Sequence, residues 1–525
     1  MSLISEPALR TGALAALGLR AFRLYAVAVC ALGIAVLVAL SVRAADGHLI
    51  YSLDDPYIHL AVAETILRGG YGVNFPEMSA PSSSVLWPWL LAPFLAWGLG
   101  SLAPLLIGAA ASLALAWVAA PILYGRGVSA ASPEFWLLPP LFLLAVNAVA
   151  LPMTGMEHGL HLLAVALAAA GLIDLGARGR VGPALVLGAI LSGLIRFEGL
   201  ALSLAVVGIL LAARRPRPAL LVGGVLGLAL AAHAAFMLRA GLPVLPSSVL
   251  VKSNLAADLM GSGGVPVVGR LLSNLFVSLT HPWGMVFAGT IAALLLALWR
   301  GTARWPLPVA CILALGAHLV MGRYGWFGRY EAYAAVLAAL TLAHVFGDHV
   351  RARGPVLLPI GLAIVAVPFA LIAWMTPVAS RNIFEQQYTM HRIATEVLPG
   401  VTVAVNDLGW TAWRNDGYVL DLWGLGSEEA RRAMRASVDM EAYLRDMTAR
   451  KGAGYAMIYP EWFGDRIPQE WCRVATLRTS KVTAASPEVG LYLIDRGIEG
   501  RMRMGLAALA PTLPGGARLE TFGCE

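Results

Sequence analysis

The sequence predicts a polytopic α-helical membrane domain followed by a soluble α/β domain, and three observations predict it. First, 58% of the 525 residues are hydrophobic and 13% are charged, with a mean hydropathy of +0.73. A water-soluble chain needs far less apolar surface than that. Second, apolar runs of about 18 or more residues, long enough to cross a bilayer, recur to roughly position 377. Third, after Thr376-Pro377 the chain changes to short β-rich runs separated by amphipathic pieces.

Taken in order, Arg20 and Arg23 precede an apolar stretch that ends at Arg43. It is longer than a signal-peptide core and lacks a small-residue cleavage site, so it reads as a retained first helix. Tyr51-Ser-Leu-Asp-Asp-Pro-Tyr-Ile-His follows at once. Pro56 suits the first position of a helix, because its missing N–H would be unpaired there. Asp55 is then the expected N-cap, which leaves Asp54 one residue outside the helix and aimed elsewhere. The helix carries Ile58, Ala61, Val62, Thr65 and Ile66 on one face and stops at Gly69-Gly70.

About eleven spans are predicted, over 24–43, 102–124, 135–151, 158–175, 182–196, 198–213, 218–239, 283–299, 305–321, 329–347 and 355–377. The Ser84–Gly98 segment is apolar but short and broken by proline, and is expected to lie at the interface or to re-enter. Parity supports leaving it out. With the N-terminus inside, alternate loops carry Arg126; Arg178 and Arg180; Arg214, Arg215 and Arg217; Arg300 and Arg304; Arg351 and Arg353. The other loops carry Asp46, Asp54, Asp55, Glu64, Glu77 and Glu157. That alternation follows the positive-inside rule, and it explains the net charge of +7 without a nucleic-acid partner. The N-terminus is thus expected in the cytoplasm and the tail outside.

Residues 1–377 form the expected transmembrane domain, with a first external loop over 45–101, and residues 378–525 the extracytoplasmic α/β domain. Strands are expected at Thr402–Val405, Tyr418–Asp421, Tyr455–Tyr459, Arg473–Leu477 and Leu491–Asp495, with helices over Asn382–Val397 and Met440–Arg450. Cys30 and Cys311 fall in apolar runs and read as core residues. Cys472 and Cys524 lie in the tail, where an oxidising compartment would allow a disulfide; spacing alone leaves the pairing open.

Ionisable residues at span edges are costly to place there and are the candidates for chemistry. On the outer side these are Asp54, Asp55 and His59; Glu157 and His158; Arg196 and Glu198; Lys252 and Asn254; Arg323 and Arg329. Several have a plainer reading. Arg196 and Glu198, at a tight hairpin, pair with each other or else Arg196 binds an anionic head group. Lys252 is either a solvated loop lysine or a point charge for phosphate. Arg323 and Arg329 bracket an aromatic belt. His158 and His161 lack a third ligand for zinc. Asp54 and Asp55 are a cap plus a surface charge, a cation site, or a general base beside its neighbour.

These segments resemble, in order, the signatures of GT-C glycosyltransferases, and most closely the branch of the membrane arabinofuranosyltransferases of actinobacterial cell walls. Asp54-Asp-Pro-Tyr-Ile-His resembles the acidic motif of the first external loop, and Thr154-Gly-Met-Glu a Ser/Thr-Gly-Leu/Met-Glu motif. Arg196-Phe-Glu-Gly is similar to Arg-Pro-Glu-Gly, and Leu245-Pro-Ser-Ser-Val-Leu-Val-Lys to Leu-Pro-Asn-x-x-x-x-Lys. Gly328-Arg-Tyr, Asn406-Asp-Leu-Gly and Val419-Leu-Asp-Leu-Trp-Gly-Leu resemble the later motifs. Phe197 for Pro, Ser247 for Asn, and the segment from Asn74 to Pro81 depart from the pattern.

The resemblance implies an inverting transferase in the bacterial inner membrane. It moves a sugar from a polyprenyl-phosphate donor to a glycan, lipid or protein acceptor on the outer face. Asp54 is the implied base with Asp55 beside it; Arg196, Lys252 and Arg329 hold the donor phosphate, and His59, Glu157 and Glu198 support them. The sequence leaves open whether a divalent cation is needed; if one is used, it would sit at Asp54 and Asp55. A lipid-linked-sugar flippase or transporter is the alternative, and it would place ionisable residues near the bilayer midplane.

Overall fold

The computed structural model describes residues 6–125, 128–252, 267–434, 436 and 438–524. Every predicted span coincides with a helix. Among the described residues, seven helices are long and apolar enough to cross a membrane: Ala16–Ala44 within α1 (Glu6–Ala44), α4 (Leu102–Leu123), α6 (His158–Arg178), α9 (Pro216–Arg239), Pro282–Trp299, Ala332–Arg353 and Leu357–Val397. The other four predicted spans are shorter helices: α5 (Pro133–Ala145), α7 (Pro183–Ile195) and α8 (Leu200–Ala212) of 13 residues each, and Pro306–Met321 of 16. The length criterion therefore supports seven spans, not eleven.

The proline-broken segment forms the ten-residue α3 (Trp87–Ala96), packed on α2 (Asp55–Leu67). The short α10 (Ser247–Lys252) follows α9. An amphipathic helix at Val267–Thr280, not foreseen from the sequence, exposes Val268, Leu272, Phe276 and Val277 on one side.

One further contrast concerns the last span. The last long helix does not stop at Pro377. It runs to Ile383 and continues through π-helical turns at Phe384–Tyr388 and Ile393–Val397, carrying the chain into the tail domain on one rod. Asn382 fastens that rod to the tail by accepting the backbone N–H groups of Val482, Thr483 and Ala484 at 3.1, 2.9 and 2.8 Å.

The tail is a six-stranded sheet in the order β2-β1-β3-β5-β4-β6, built from Val403–Val405 (β1), Val419–Asp421 (β2), Tyr455–Ile458 (β3), Cys472–Arg478 (β4), Glu488–Leu493 (β5) and Arg518–Thr521 (β6). β1 pairs parallel with β2 and β3; the remaining pairs are antiparallel. Five strands fall where alternation predicts them. β6, polar and short, was not foreseen. Cys472 and Cys524 form a disulfide that ties the start of β4 to the end of the chain.

The first loop and the tail share one core. Tyr51, Tyr57 and Trp87 of the loop pack in the same cluster as Trp410, Trp413, Tyr459 and Leu491. Asn74 completes the join: its side chain donates to the Val419 carbonyl at 2.8 Å and accepts the Val419 N–H at 2.9 Å. That closes the outer edge of β2, which would otherwise present unpaired backbone groups. The tail is thus seated on the first loop, and whatever the loop's acids do is done against it.

Candidate functional site

Asp54 reaches away from the helix as the sequence suggests, but Asp55 is not its cap. The helix begins at Asp55, and Asp54 occupies the N-cap position without capping it. Instead Asp54, 8% exposed, reaches into the tail. Its Oδ2 accepts the Gly409 N–H at 2.7 Å and its Oδ1 the Trp410 N–H at 2.9 Å. The Trp410 ring packs at a tilt against Tyr57 of α2, with ring centroids 4.1 Å apart.

Burial pushes the Asp54 carboxyl well above the usual carboxylate range. The Asp407 carboxylate, and less strongly Asp55, push it the same way, while the two backbone donors oppose the shift. Asp407 is held in turn by the Tyr459 hydroxyl, which donates to Oδ2 at 2.8 Å, and by Gln387 Nε2 at 3.0 Å. Gln387 comes from the first π-helical turn of the long rod. Such turns displace one residue from the helical register and are frequent at functional sites.

Asp55 turns the other way and forms an ion pair with Arg329. Arg329 is buried, and its Nε and Nη1 have no hydrogen-bond partner among the described residues. Its guanidinium lies 5.2 Å over the Tyr330 ring, with Arg196 at 5.8 Å and Arg323 at 6.0 Å from the same ring. His158, 1% exposed and edge-on to Tyr330 at 6.5 Å, has neither ring nitrogen bonded among the described residues. Buried polar atoms are normally satisfied, so unpaired donors on Arg329 and an unpaired imidazole around one tyrosine mark a place where an anionic group would be held.

Arg196 settles into its plainer reading. Nε and Nη2 form a fork with Glu198 at 3.1 and 2.7 Å, and Nη1 donates to Glu157 at 2.5 Å and to Ser83 at 3.4 Å. Two carboxylates neutralise it, so it fixes the hairpin and keeps its charge near Tyr330. Gly199 is required at that turn, because a Cβ there would strike the Ser192 backbone. Gly155, at φ +64°, likewise lets the Thr154–Glu157 turn pack on Pro56 and Tyr51. His59 is buried on α2.

Lys252 ends α10, which is tied to the first loop by the Ser247 N–H donating to the Ala80 carbonyl at 2.9 Å. The Lys252 side chain, Asn254 and Arg126 lie outside the described residues. Asp421 does structural work: it collects the N–H groups of Trp423, Gly424, Gly426 and Ser427 and shapes the loop after β2.

Among the described residues no three of His, Cys, Asp and Glu are grouped to hold a metal ion. The oxygens of Asp54 and Asp55 face N–H donors, surroundings that suit an anion's partners better than a cation's ligands. Sequence reasoning singled out Asp54, Asp55, Glu157, Arg196, Glu198 and Arg329, and they do gather at one end of the helix bundle. It missed the anchoring roles of Asp407, Gly409, Gln387 and Tyr459, for which the only signal was the short Asp-Leu-Gly run.

A family model described as a domain of unknown function (DUF8728) matches residues 381–492. It spans the end of the long rod and β1 to β5, and so contains Gln387, Asp407, Gly409, Trp410 and Tyr459. No curated protein matches the chain.

Proposed function

We propose that this protein is an inverting GT-C glycosyltransferase that takes a sugar from a polyprenyl-phosphate donor and passes it to a hydroxyl acceptor of the cell envelope. One observation carries the reading: acids from the first loop and arginines from far later in the chain meet in a single buried cluster, with unpaired nitrogens on Arg329 and His158 at its centre. Asp54 is the base. It accepts the proton of the acceptor hydroxyl as the oxygen attacks C1, and the C1–O bond to phosphate breaks with its electron pair left on the phosphate. Arg329 and His158, with Lys252, stabilise that charge as it develops. A base works best with a pKa near the working pH, and burial beside Asp407 moves Asp54 in that direction.

The outer face of a bacterial inner membrane is the matching location. Arg178, Arg351 and Arg353 in last turns, and Arg304 just before Pro306–Met321, lie at the helix ends opposite the cluster, and Arg23 within α1 lines the same cleft as Arg178 and Arg351, as the positive-inside rule asks of a cytoplasmic face. The tail disulfide suits an oxidising compartment. A flippase or transporter is less well supported, because the charged residues of the cluster sit at helix ends and hairpins rather than mid-span. Purified protein given a labelled polyprenyl-phosphate sugar should release polyprenyl phosphate only when an acceptor is present.

A further inference from the structure

At the end of the bundle opposite Asp54, the first helix, α4, α6, the start of α7 and the end of Ala332–Arg353 enclose a cleft of about 750 Å³. Arg23, Arg178, His344 and Arg351 line it. Two of these cations are compensated: Arg178 pairs with Asp174, and Arg351 with Glu134 and Asp348. Arg23 differs. Among the described residues no carboxylate pairs with it, and its Nε is buried without a hydrogen-bond partner. Its guanidinium lies 4.9 Å over the Trp117 ring, and both residues line the cleft.

The wall beside these cations is apolar, formed by Val118, Ile122, Leu167 and Ile173 on helices that cross the membrane. A ligand that satisfies both halves carries an anionic head and hydrocarbon chains. We propose that this cleft binds the phosphate head group of one anionic phospholipid, with its acyl chains along α4 and α6. A free phosphate would answer the arginine but leave the apolar wall wet, so the lipid is the better fit. The site uses none of the residues of the Asp54 cluster, and it stands whether or not the chain transfers sugars.

The test is native mass spectrometry of detergent-purified, delipidated full-length protein offered dioleoylphosphatidylglycerol or dioleoylphosphatidylcholine. The expected result is one phosphatidylglycerol retained per chain in preference to phosphatidylcholine. Arg23→Gln should weaken retention about 10-fold, the loss expected for one charge-assisted hydrogen bond. Trp117→Leu, at a position half open to the outside, should weaken it as well and covers the case in which the arginine variant fails to fold. Arg180→Gln, exposed on the same face, should change nothing. Equal retention of both lipids, unchanged retention in Arg23→Gln and Trp117→Leu, or displacement by millimolar inorganic phosphate would each overturn the assignment.

Discussion

The Gly409 N–H donates to Asp54 Oδ2 at 2.7 Å, and a Cβ on Gly409 would occupy the space of that same carboxylate. The membrane half and the tail therefore meet at a contact that admits no side chain. Asp54 is held by two backbone donors 355 and 356 residues away in sequence, in a geometry no substitution at Gly409 preserves.

Gly409→Ala should displace the Asp54 carboxylate from its donors. Forcing a methyl into a packed contact costs about 1–3 kcal/mol, so the thermal midpoint should fall modestly. Sugar transfer should fall at least about 10-fold, because the base is misaimed. Differential scanning fluorimetry alongside the transfer assay checks both. Unchanged transfer would mean that the contact only joins the two domains.

Asp407→Asn should shift the pH profile. The Asp407 carboxylate raises the Asp54 carboxyl, and a base must be deprotonated to act, so activity climbs as pH rises through that raised value. Removing the neighbouring charge lowers the Asp54 pKa, and the acid limb of the kcat/KM profile should move to lower pH. A limb that stays in place would separate Asp54 from the titration.

His158→Phe tests the unpaired imidazole. A side chain without hydrogen-bond partners contributes packing that phenylalanine can replace, so stability should hold or rise slightly. Donor KM should nonetheless increase if the ring meets phosphate. Arg329→Lys keeps the charge but loses the planar fork, and should raise donor KM by about 10-fold. Arg329→Gln removes the cation from the Asp55–Arg329 ion pair and should destabilise the fold by about 3–5 kcal/mol.

Cys472→Ser should loosen the tail. The disulfide closes a loop of 52 residues, which in a chain-entropy account contributes about 4 kcal/mol. Non-reducing gels of protein from intact cells should show the pair oxidised, with Cys30 and Cys311 labelled by maleimide at once and Cys472 and Cys524 only after reduction.

Much of this architecture is legible in the sequence because burial imposes period and length. The helices at the predicted spans and β1 to β5 announce themselves by apolar pattern, and the clustering of Asp54, Asp55, Glu157 and Arg329 follows from loop parity. What escaped is decided by partners distant in the chain. Asp55 looks like the cap because Pro56 follows it, but a cap contributes only about 1 kcal/mol. Two N–H donors from the tail and an ion pair with Arg329 outweigh that, and neither acid caps the helix. The pairing of Arg196 with Glu157, 39 residues away, is equally invisible to local reading. β6 is polar and short, and only its pairing with β4 makes it a strand.

The most direct measurement is release of polyprenyl phosphate from a labelled polyprenyl-phosphate sugar by purified wild-type protein and by Asp54→Asn. The account predicts acceptor-dependent release by the wild type, lowered by about 10²–10⁴-fold in a variant that folds normally. Full release by Asp54→Asn, or wild-type protein that carries the intact lipid-linked sugar across vesicles without cleaving it, would contradict it.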